Sequence, residues 1–101
     1  MLERDIEKYL VQQIAKLGGK AYKWSSPSNR AVPDRLCFLP KGLIKIVECK
    51  APGKEPTPLQ SKIHKALRLM GHEVLVIDSK LGVDILIQVV KEELYELRSD
   101  L

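Results

Sequence analysis

A short loop, Pro40-Lys41-Gly42, separates two apolar runs and constrains the fold of this chain more than any other feature. Proline suits the first central position of a type I turn, and glycine suits the left-handed position that follows it. This pattern is typical of a three-residue hairpin loop. We therefore predict two antiparallel strands, 34–39 and 43–50, in which the numbers of paired residues sum to 82.

The predicted register brings two carboxylates together. Asp34 lies opposite Glu48, with Cβ atoms roughly 4.5–5.5 Å apart, and strand alternation places Lys50 on the same face. A two-residue loop would instead put Cys49 opposite Asp34 and separate the acids. Because opposed like charges destabilise a strand pair, an ordinary hairpin gains nothing from this arrangement.

Two acids and a lysine on one face favour a metal-dependent phosphodiesterase. Hard oxygen ligands with several retained waters are what Mg²⁺ prefers, and the backbone carbonyl of Cys49 would add a neutral oxygen ligand. Lys50 would orient or help deprotonate a water and stabilise the negative charge that grows on phosphorus. The alternative is that Lys50 only neutralises Asp34 and Glu48 in an ion-pair cluster.

Length and composition indicate one small domain, residues 1–101, with a modest core from 45% hydrophobic residues. The sequence has no apolar run of about 18 residues, so no membrane span is expected. Its N-terminus does not resemble a secretory signal. Cys37 and Cys49 lie in apolar strands and are expected to be buried thiols of a reducing compartment.

Positive charge is concentrated in the middle of the chain. Between Lys20 and Arg68, eleven basic residues stand against three acidic ones, whereas from Leu81 onward two stand against five. A basic surface around the acid pair favours a polyanionic partner such as DNA. The alternative is an ordinary solvated surface.

Hydrophobic periodicity predicts the other elements. A first amphipathic helix covers 2–17, a short strand 20–24, and a loop 25–32. Thr57 is a good N-cap for a second helix that ends near Met70. The predicted buried face of this second helix consists of Leu59, Ile63, Leu67 and Met70.

The last elements complete an α/β fold. Residues 73–77 predict a strand apolar enough to be interior, and 83–97 predict a third helix, although 85–90 also fits a strand. The order is α-β-β-β-α-β-α, and the strand after the second helix is expected to return parallel to an earlier one. The expected architecture is a mixed sheet flanked by helices.

Four runs of the sequence resemble one nuclease family. Pro33-Asp34 followed by Glu48-Cys49-Lys50 is the pattern of the PD-(D/E)xK superfamily. The surrounding residues resemble its VRR-NUC branch (virus-type replication-repair nuclease) in its stand-alone bacterial or phage form. The matching runs are Gly19 to Trp24, Val32 to Leu36, Val47 to Gly53, and Pro58 to Gln60 with His64 four residues on.

The resemblance implies a restriction-endonuclease-like core of α-β-β-β-α-β, here followed by a C-terminal helix. It implies Mg²⁺ or Mn²⁺ held by Asp34, Glu48 and the Cys49 carbonyl, with Lys50 catalytic and Gln60 facing the site. It also implies a homodimeric, structure-selective DNA endonuclease that resembles Holliday-junction resolvases and works in the cytoplasm of a bacterial or phage-infected cell. A catalytically silent nucleic-acid-binding module is the alternative.

Further site candidates each have a plainer role open to them. Gln60 also fits a capping box with Thr57. Glu3 or Glu7 is expected to join the metal site, although acids near a helix N-terminus are favourable in themselves. Candidates for DNA contacts, any of which can be a plain surface residue, are Lys20, Lys23, Ser25, Arg30, Arg35, Lys54, Lys62 and His64.

Overall fold

The structure, a computed structural model, describes residues 1–99. Its elements follow the predicted order, and the third helix is helical throughout rather than a strand. The helices are α1 (Glu3–Lys16), α2 (Pro58–Leu69) and α3 (Lys80–Ser99). The strands are β1 (Lys20–Lys23), β2 (Arg35–Phe38), β3 (Ile44–Cys49) and β4 (Val74–Ile77).

The four strands form one mixed sheet in the order β1-β2-β3-β4. The first two pairs are antiparallel and β3 runs parallel to β4, which confirms the predicted return after α2. Arg35 pairs with Val47 and Phe38 with Ile44, so paired numbers sum to 82. The register predicted from the loop length is confirmed.

The hairpin loop keeps the predicted length but not the predicted turn type. Lys41 has φ 64° and ψ 25°, and Gly42 also has a positive φ, 77°. A type I turn would need a φ of about −90° at Lys41, so that prediction is wrong. The Lys41 ammonium donates to the carbonyl of Leu94 at 2.9 Å, a contact with α3 that local turn preferences cannot anticipate.

One face of the sheet carries the main core. The buried residues of α1 and α3 pack together with the alternate strand residues Cys37, Val47 and Cys49, each of which is fully buried. The two cysteines are free thiols, as expected, and burial raises the pKa of Cys37 to about 12. This packing fixes the orientation of β3, so the side chain of Glu48 must point to the opposite face.

The opposite face is covered at one end by α2, and here the predicted packing is wrong in detail. Leu59 is 55% exposed and Met70 is 66% exposed, although both were expected to be buried. The fully buried residue of α2 is His64, with Ile63 half-buried beside it. The helix is therefore rotated from the predicted orientation, so that His64 faces the sheet.

Strand β4 lies at the edge of the sheet, so its predicted interior position is wrong. Val74 and Ile77 are nevertheless buried, at 4% and 6% exposure, although among the strands of residues 1–99 β4 pairs with β3 alone. The apolar composition of β4 therefore reflects burial of its side chains and not a central place in the sheet. Within residues 1–99, no helix combines the length and the apolar character that a membrane crossing needs.

Candidate active site

Asp34 and Glu48 meet where β2 begins and β3 ends. Asp34 directly precedes β2, and its Oδ2 accepts a hydrogen bond of 2.7 Å from the backbone amide of Cys49. This bond fixes one carboxylate oxygen and leaves Oδ1 available. Glu48 is the penultimate residue of β3, with 1% of its surface exposed. The two acids are thus held together by the hairpin register and by a backbone hydrogen bond.

The environment of Glu48 disfavours its charged form. Burial, then hydrogen bonding with Asp34 and the charge of Asp34, raise the pKa of Glu48 to about 8. Lys50 acts in the opposite direction, and Glu3 adds a smaller rise. A buried carboxylate beside a second acid is stabilised by a nearby cation, because the cation offsets both the repulsion and the loss of hydration.

Lys50 follows β3 and lies beside the acids without pairing with them. Its backbone amide donates to the carbonyl of Ile77 at 2.9 Å, and its residue surface is 9% exposed. Among the side chains that the structure describes, Lys50 has no ion pair to Asp34 or Glu48 within 4.0 Å. The interpretation of Lys50 as one member of an ion-pair cluster is therefore not supported.

Helix α2 brings a histidine onto Glu48. The Nε2 atom of His64 lies 3.3 Å from Oε1 of Glu48, and both side chains are 1% exposed. Burial, followed by the charges of Arg68 and Lys50, lowers the pKa of His64 and so favours its neutral ring. The sequence drew attention to His64 as a DNA contact, whereas the structure buries it against the carboxylate of Glu48.

Gln60 forms the capping box that the sequence allowed. Its side-chain Oε1 accepts from the backbone amide of Thr57 at 2.9 Å, and the backbone amide of Gln60 donates to the Thr57 hydroxyl at 3.2 Å. The box fixes the backbone of the first turn of α2. With Oε1 engaged, the side-chain NH₂ is the group of Gln60 that remains for a site role.

The two acids of α1 differ in their surroundings. Glu3 is exposed, and its charge contributes to the raised pKa of Glu48. Glu7 instead accepts from the Arg35 side chain at 2.7 Å, and Arg35 also donates to the Ala21 carbonyl at 3.0 Å. The charge of Glu3 thus acts on Glu48, whereas Glu7 is paired with Arg35 and its charge acts on Cys49.

The remaining candidates for DNA contacts are on the surface. Lys20 lies 4.9 Å from the ring centre of Tyr22, on the same sheet face as Glu48 by register. The exposed candidates are Lys20, Lys23, Ser25, Arg30, Lys54 and Lys62. Their roles stay predictions, because exposure and charge are what any basic surface provides.

Comparison with known proteins places this geometry in a family. No family model matches the sequence. A solved structure described as "VRR_NUC domain" superposes with a TM-score of 0.80 at 36% sequence identity, covering 85% of this chain and 94% of that one. The chain belongs to the VRR-NUC nuclease family.

A phage relative supports the same placement of this VRR-NUC domain. The protein described as "Putative nuclease p44", from Acyrthosiphon pisum secondary endosymbiont phage 1, is 55% identical over 78 residues. The match covers 77% of this chain and 84% of the relative. It therefore extends well beyond the short acid and lysine motif, and the resemblance drawn from the sequence is confirmed.

The donor set of this VRR-NUC site fits a hard divalent cation. It offers carboxylate oxygens of Asp34 and Glu48, with the backbone carbonyl of Cys49 at the same strand end. Within the described residues, no group of three or more His, Cys, Asp or Glu side chains is arranged to hold a metal. Two carboxylates completed by water suit Mg²⁺ or Mn²⁺ better than Zn²⁺, which takes several nitrogen or sulfur ligands.

Proposed function

We propose that this protein is a metal-dependent, structure-selective DNA endonuclease that hydrolyses phosphodiester bonds. The observation that carries the proposal is the meeting of Asp34 and Glu48 at one strand end, with Lys50 on the same face and outside any ion pair with them. Membership of the VRR-NUC nuclease family supports it. The basic middle of the chain supports a polyanionic substrate.

In this mechanism Asp34, Glu48 and the carbonyl of Cys49 would hold Mg²⁺ or Mn²⁺. The bound cation supplies Lewis-acid stabilisation of phosphate oxygens and a more acidic water. The Lys50 ammonium holds the attacking water in place and donates to a phosphoryl oxygen as negative charge grows there. The water oxygen bonds to phosphorus and loses a proton to solvent, while the bond to the leaving sugar oxygen breaks and that oxygen takes up a proton from solvent. Gln60 contributes its NH₂ group as a further donor.

Branched DNA is the substrate that we infer, as for a Holliday-junction resolvase. A junction needs two cuts, and one domain of this size carries a single site, so a two-fold homodimer would supply the second. Helix α3 offers a surface for this contact, because its outer apolar stripe is exposed next to a groove of about 310 Å³ beside β4. The stripe consists of Leu81, Ile85 and Val89, exposed by 68%, 57% and 41%.

Replacing Ile85 by glutamate is expected to convert the dimer to a monomer. A two-fold contact would bring the new charge into an apolar interface and close to its copy, and burying an unpaired carboxylate is costly. Sedimentation at micromolar concentration measures the change. Each active site stays intact, so nicking of one strand persists while paired cleavage of a junction is lost.

The matched control for the dimer is Leu69→Glu, a change of the same kind at a residue of α2 that is 79% exposed. This variant should keep the oligomeric state of the wild type. A wild-type protein that sediments as a monomer, or an Ile85→Glu protein that stays dimeric, would contradict the α3 interface.

The proposed activity is tested with a panel of labelled DNA substrates. Four-way junction, flap, duplex and single strand are incubated with Mg²⁺, with Mn²⁺ and with EDTA. We expect ion-dependent cleavage, fastest on a branched substrate, that is lost in Asp34→Ala. The control is Asp84→Ala, which removes an acid that bonds to Tyr9 in α1, and this variant should cleave normally.

Two results of the panel would overturn the proposal. Cleavage that persists in EDTA would exclude a metal-dependent mechanism. Binding that weakens steeply with salt, without turnover in either ion, would instead identify a catalytically silent nucleic-acid-binding module. The opposed carboxylates argue against that alternative, because a binding module gains no stability from burying two acids together.

A further inference from the structure

The contact between His64 and Glu48 joins two polar side chains in a place where most buried side chains are apolar. Each is 1% exposed, and His64 Nε2 lies 3.3 Å from Glu48 Oε1. They reach each other from different elements, His64 from the middle of α2 and Glu48 from the end of β3. Burying a polar side chain costs free energy that a hydrogen bond offsets, whereas an apolar side chain would pack in the same place without that cost. This contact therefore needs an explanation beyond packing.

We propose that His64 is a positioning residue that holds the Glu48 carboxylate in the orientation needed to bind the metal. Its Nε2–H donates to Oε1 of Glu48, which leaves Oε2 as the oxygen that is free to turn toward Asp34 and the cation. The inference rests on the proposed metal-dependent function. It assigns His64 a different role from the DNA contact predicted from the sequence, because a residue with 1% exposure has no surface for a phosphate.

The surrounding hydrogen bonds show why Glu48 needs a separate donor. The carboxylate of Asp34 is already held by the Cys49 amide at 2.7 Å. For Glu48, His64 is the side chain that the structure places within hydrogen-bonding distance and that has an N–H to donate. Carboxylates that ligate metals are commonly fixed by such outer hydrogen bonds, and removing one typically costs about 10–100-fold in metal affinity or activity.

The rotation of α2 supports the same role. The Thr57–Gln60 capping box fixes the first turn of the helix, and His64 follows Gln60 by one turn on the same side. The Arg68 side chain donates to the carbonyl of Val74 at 2.8 Å, one turn further on. The box orders the first turn of α2, and the Arg68 bond holds its last turn against β4, so His64 between them is placed beside Glu48.

The test compares three substitutions of His64 by their Mn²⁺ affinity, measured by titration calorimetry at one fixed pH. His64→Gln places an amide NH₂ near the former Nε2 position, whereas His64→Asn places it near Nδ1, and His64→Leu has no donor. We expect Leu and Asn to weaken Mn²⁺ binding by about 10–100-fold. Gln should restore affinity to within a few-fold of wild type, and cleavage at subsaturating Mn²⁺ should follow the same order.

Rescue by Gln but not by Asn separates positioning from packing, because both amides are polar and neither matches the imidazole in shape. His72→Asn, at an exposed histidine after α2, is the matched control and should bind Mn²⁺ like the wild type. Equal affinity in all three His64 variants and the wild type would overturn the inference while leaving the nuclease proposal intact. A wild type that binds no Mn²⁺ would overturn both.

Discussion

Replacing Lys50 by alanine is expected to lower the single-turnover cleavage rate at saturating Mg²⁺ by about 10²–10⁴-fold, the range for losing a positioned group that handles a proton in the transition state. The ammonium lies beside the acid pair without an ion pair to either acid, so it is available to a water and a phosphoryl oxygen. Circular dichroism should show an unchanged fold. DNA binding should weaken much less than cleavage, because one lysine is a small part of a basic surface.

A lysine within β3 provides a matched control. Lys45 is also 9% exposed, but it points to the opposite face of β3 and bonds to Glu93 at 2.8 Å and to Glu73 at 3.2 Å. Lys45→Ala should lower the free energy of unfolding and leave the cleavage rate per folded molecule unchanged. A Lys50→Ala protein that cleaves within tenfold of wild type would contradict the role given to Lys50.

The contrast between these lysines shows what a sequence can determine. Strand alternation alone assigns Lys45 and Lys50 to opposite faces, and the loop length alone sets the pairing register. Both features are local, so both could be predicted, and the acid pair followed from them. The predicted turn type at Lys41 was wrong, but the predicted strand register was still correct. Pairing depends on the number of loop residues and not on their dihedral angles.

The errors concern contacts between distant elements. The rotation of α2 depends on its contacts with the sheet, such as the bond from Arg68 to the Val74 carbonyl, and it leaves the apolar residues Leu59 and Met70 exposed. The pairing of Arg35 with Glu7 is of the same kind, since these residues are 28 positions apart in the chain. Hydrophobic periodicity ranks the faces of one helix, but it does not say which residue of another element will meet them.

The role of His64 depends both on local sequence features and on a contact between distant elements. Its place one turn after Gln60 was visible in the sequence, and so was its spacing from the motif. Its partner was not visible, because the distance of 16 residues to Glu48 spans a loop whose path is set by the tertiary structure. A polar residue next to Ile63 on the inner side of an amphipathic helix was the available signal, and it indicates a buried partner rather than a solvent-exposed ligand.

Replacing Glu48 by glutamine is expected to stabilise the metal-free protein at neutral and alkaline pH while abolishing cleavage. The pKa of Glu48 is raised to about 8 by burial and by Asp34, against an ordinary value of 4.5. Between these pH values the folded state holds a proton that the unfolded state has lost, so stability falls as the pH rises through this window. The neutral amide avoids the loss, and the gain above pH 8 is on the order of a few kcal/mol.

Urea unfolding in EDTA between pH 5 and 9 measures this difference. His64 contributes a slope of opposite sign below its ordinary pKa of 6.5, because its own pKa is lowered in the folded state. Because Glu48 contacts His64, its substitution also changes this contribution. At pH values above that range the His64 contribution is constant, and there the difference between wild type and Glu48→Gln should grow up to pH 8 and then level off. A stability difference that does not change with pH would contradict the conclusion that burial and the charge of Asp34 raise the pKa of Glu48.

Mn²⁺ should reverse the order of stability at pH 8. A ligand that binds only the folded state stabilises it by RT ln(1 + [L]/Kd), and the ionised Glu48 of the wild type is the ligand that the glutamine variant lacks. The wild type should therefore gain stability with Mn²⁺ concentration, while Glu48→Gln gains little. The Glu48 carboxylate, which destabilises the metal-free protein, would then couple folding to metal binding. The cation offsets both the burial of Glu48 and its repulsion from Asp34. A Glu48→Gln protein stabilised by Mn²⁺ as strongly as the wild type would show that the cation binds elsewhere.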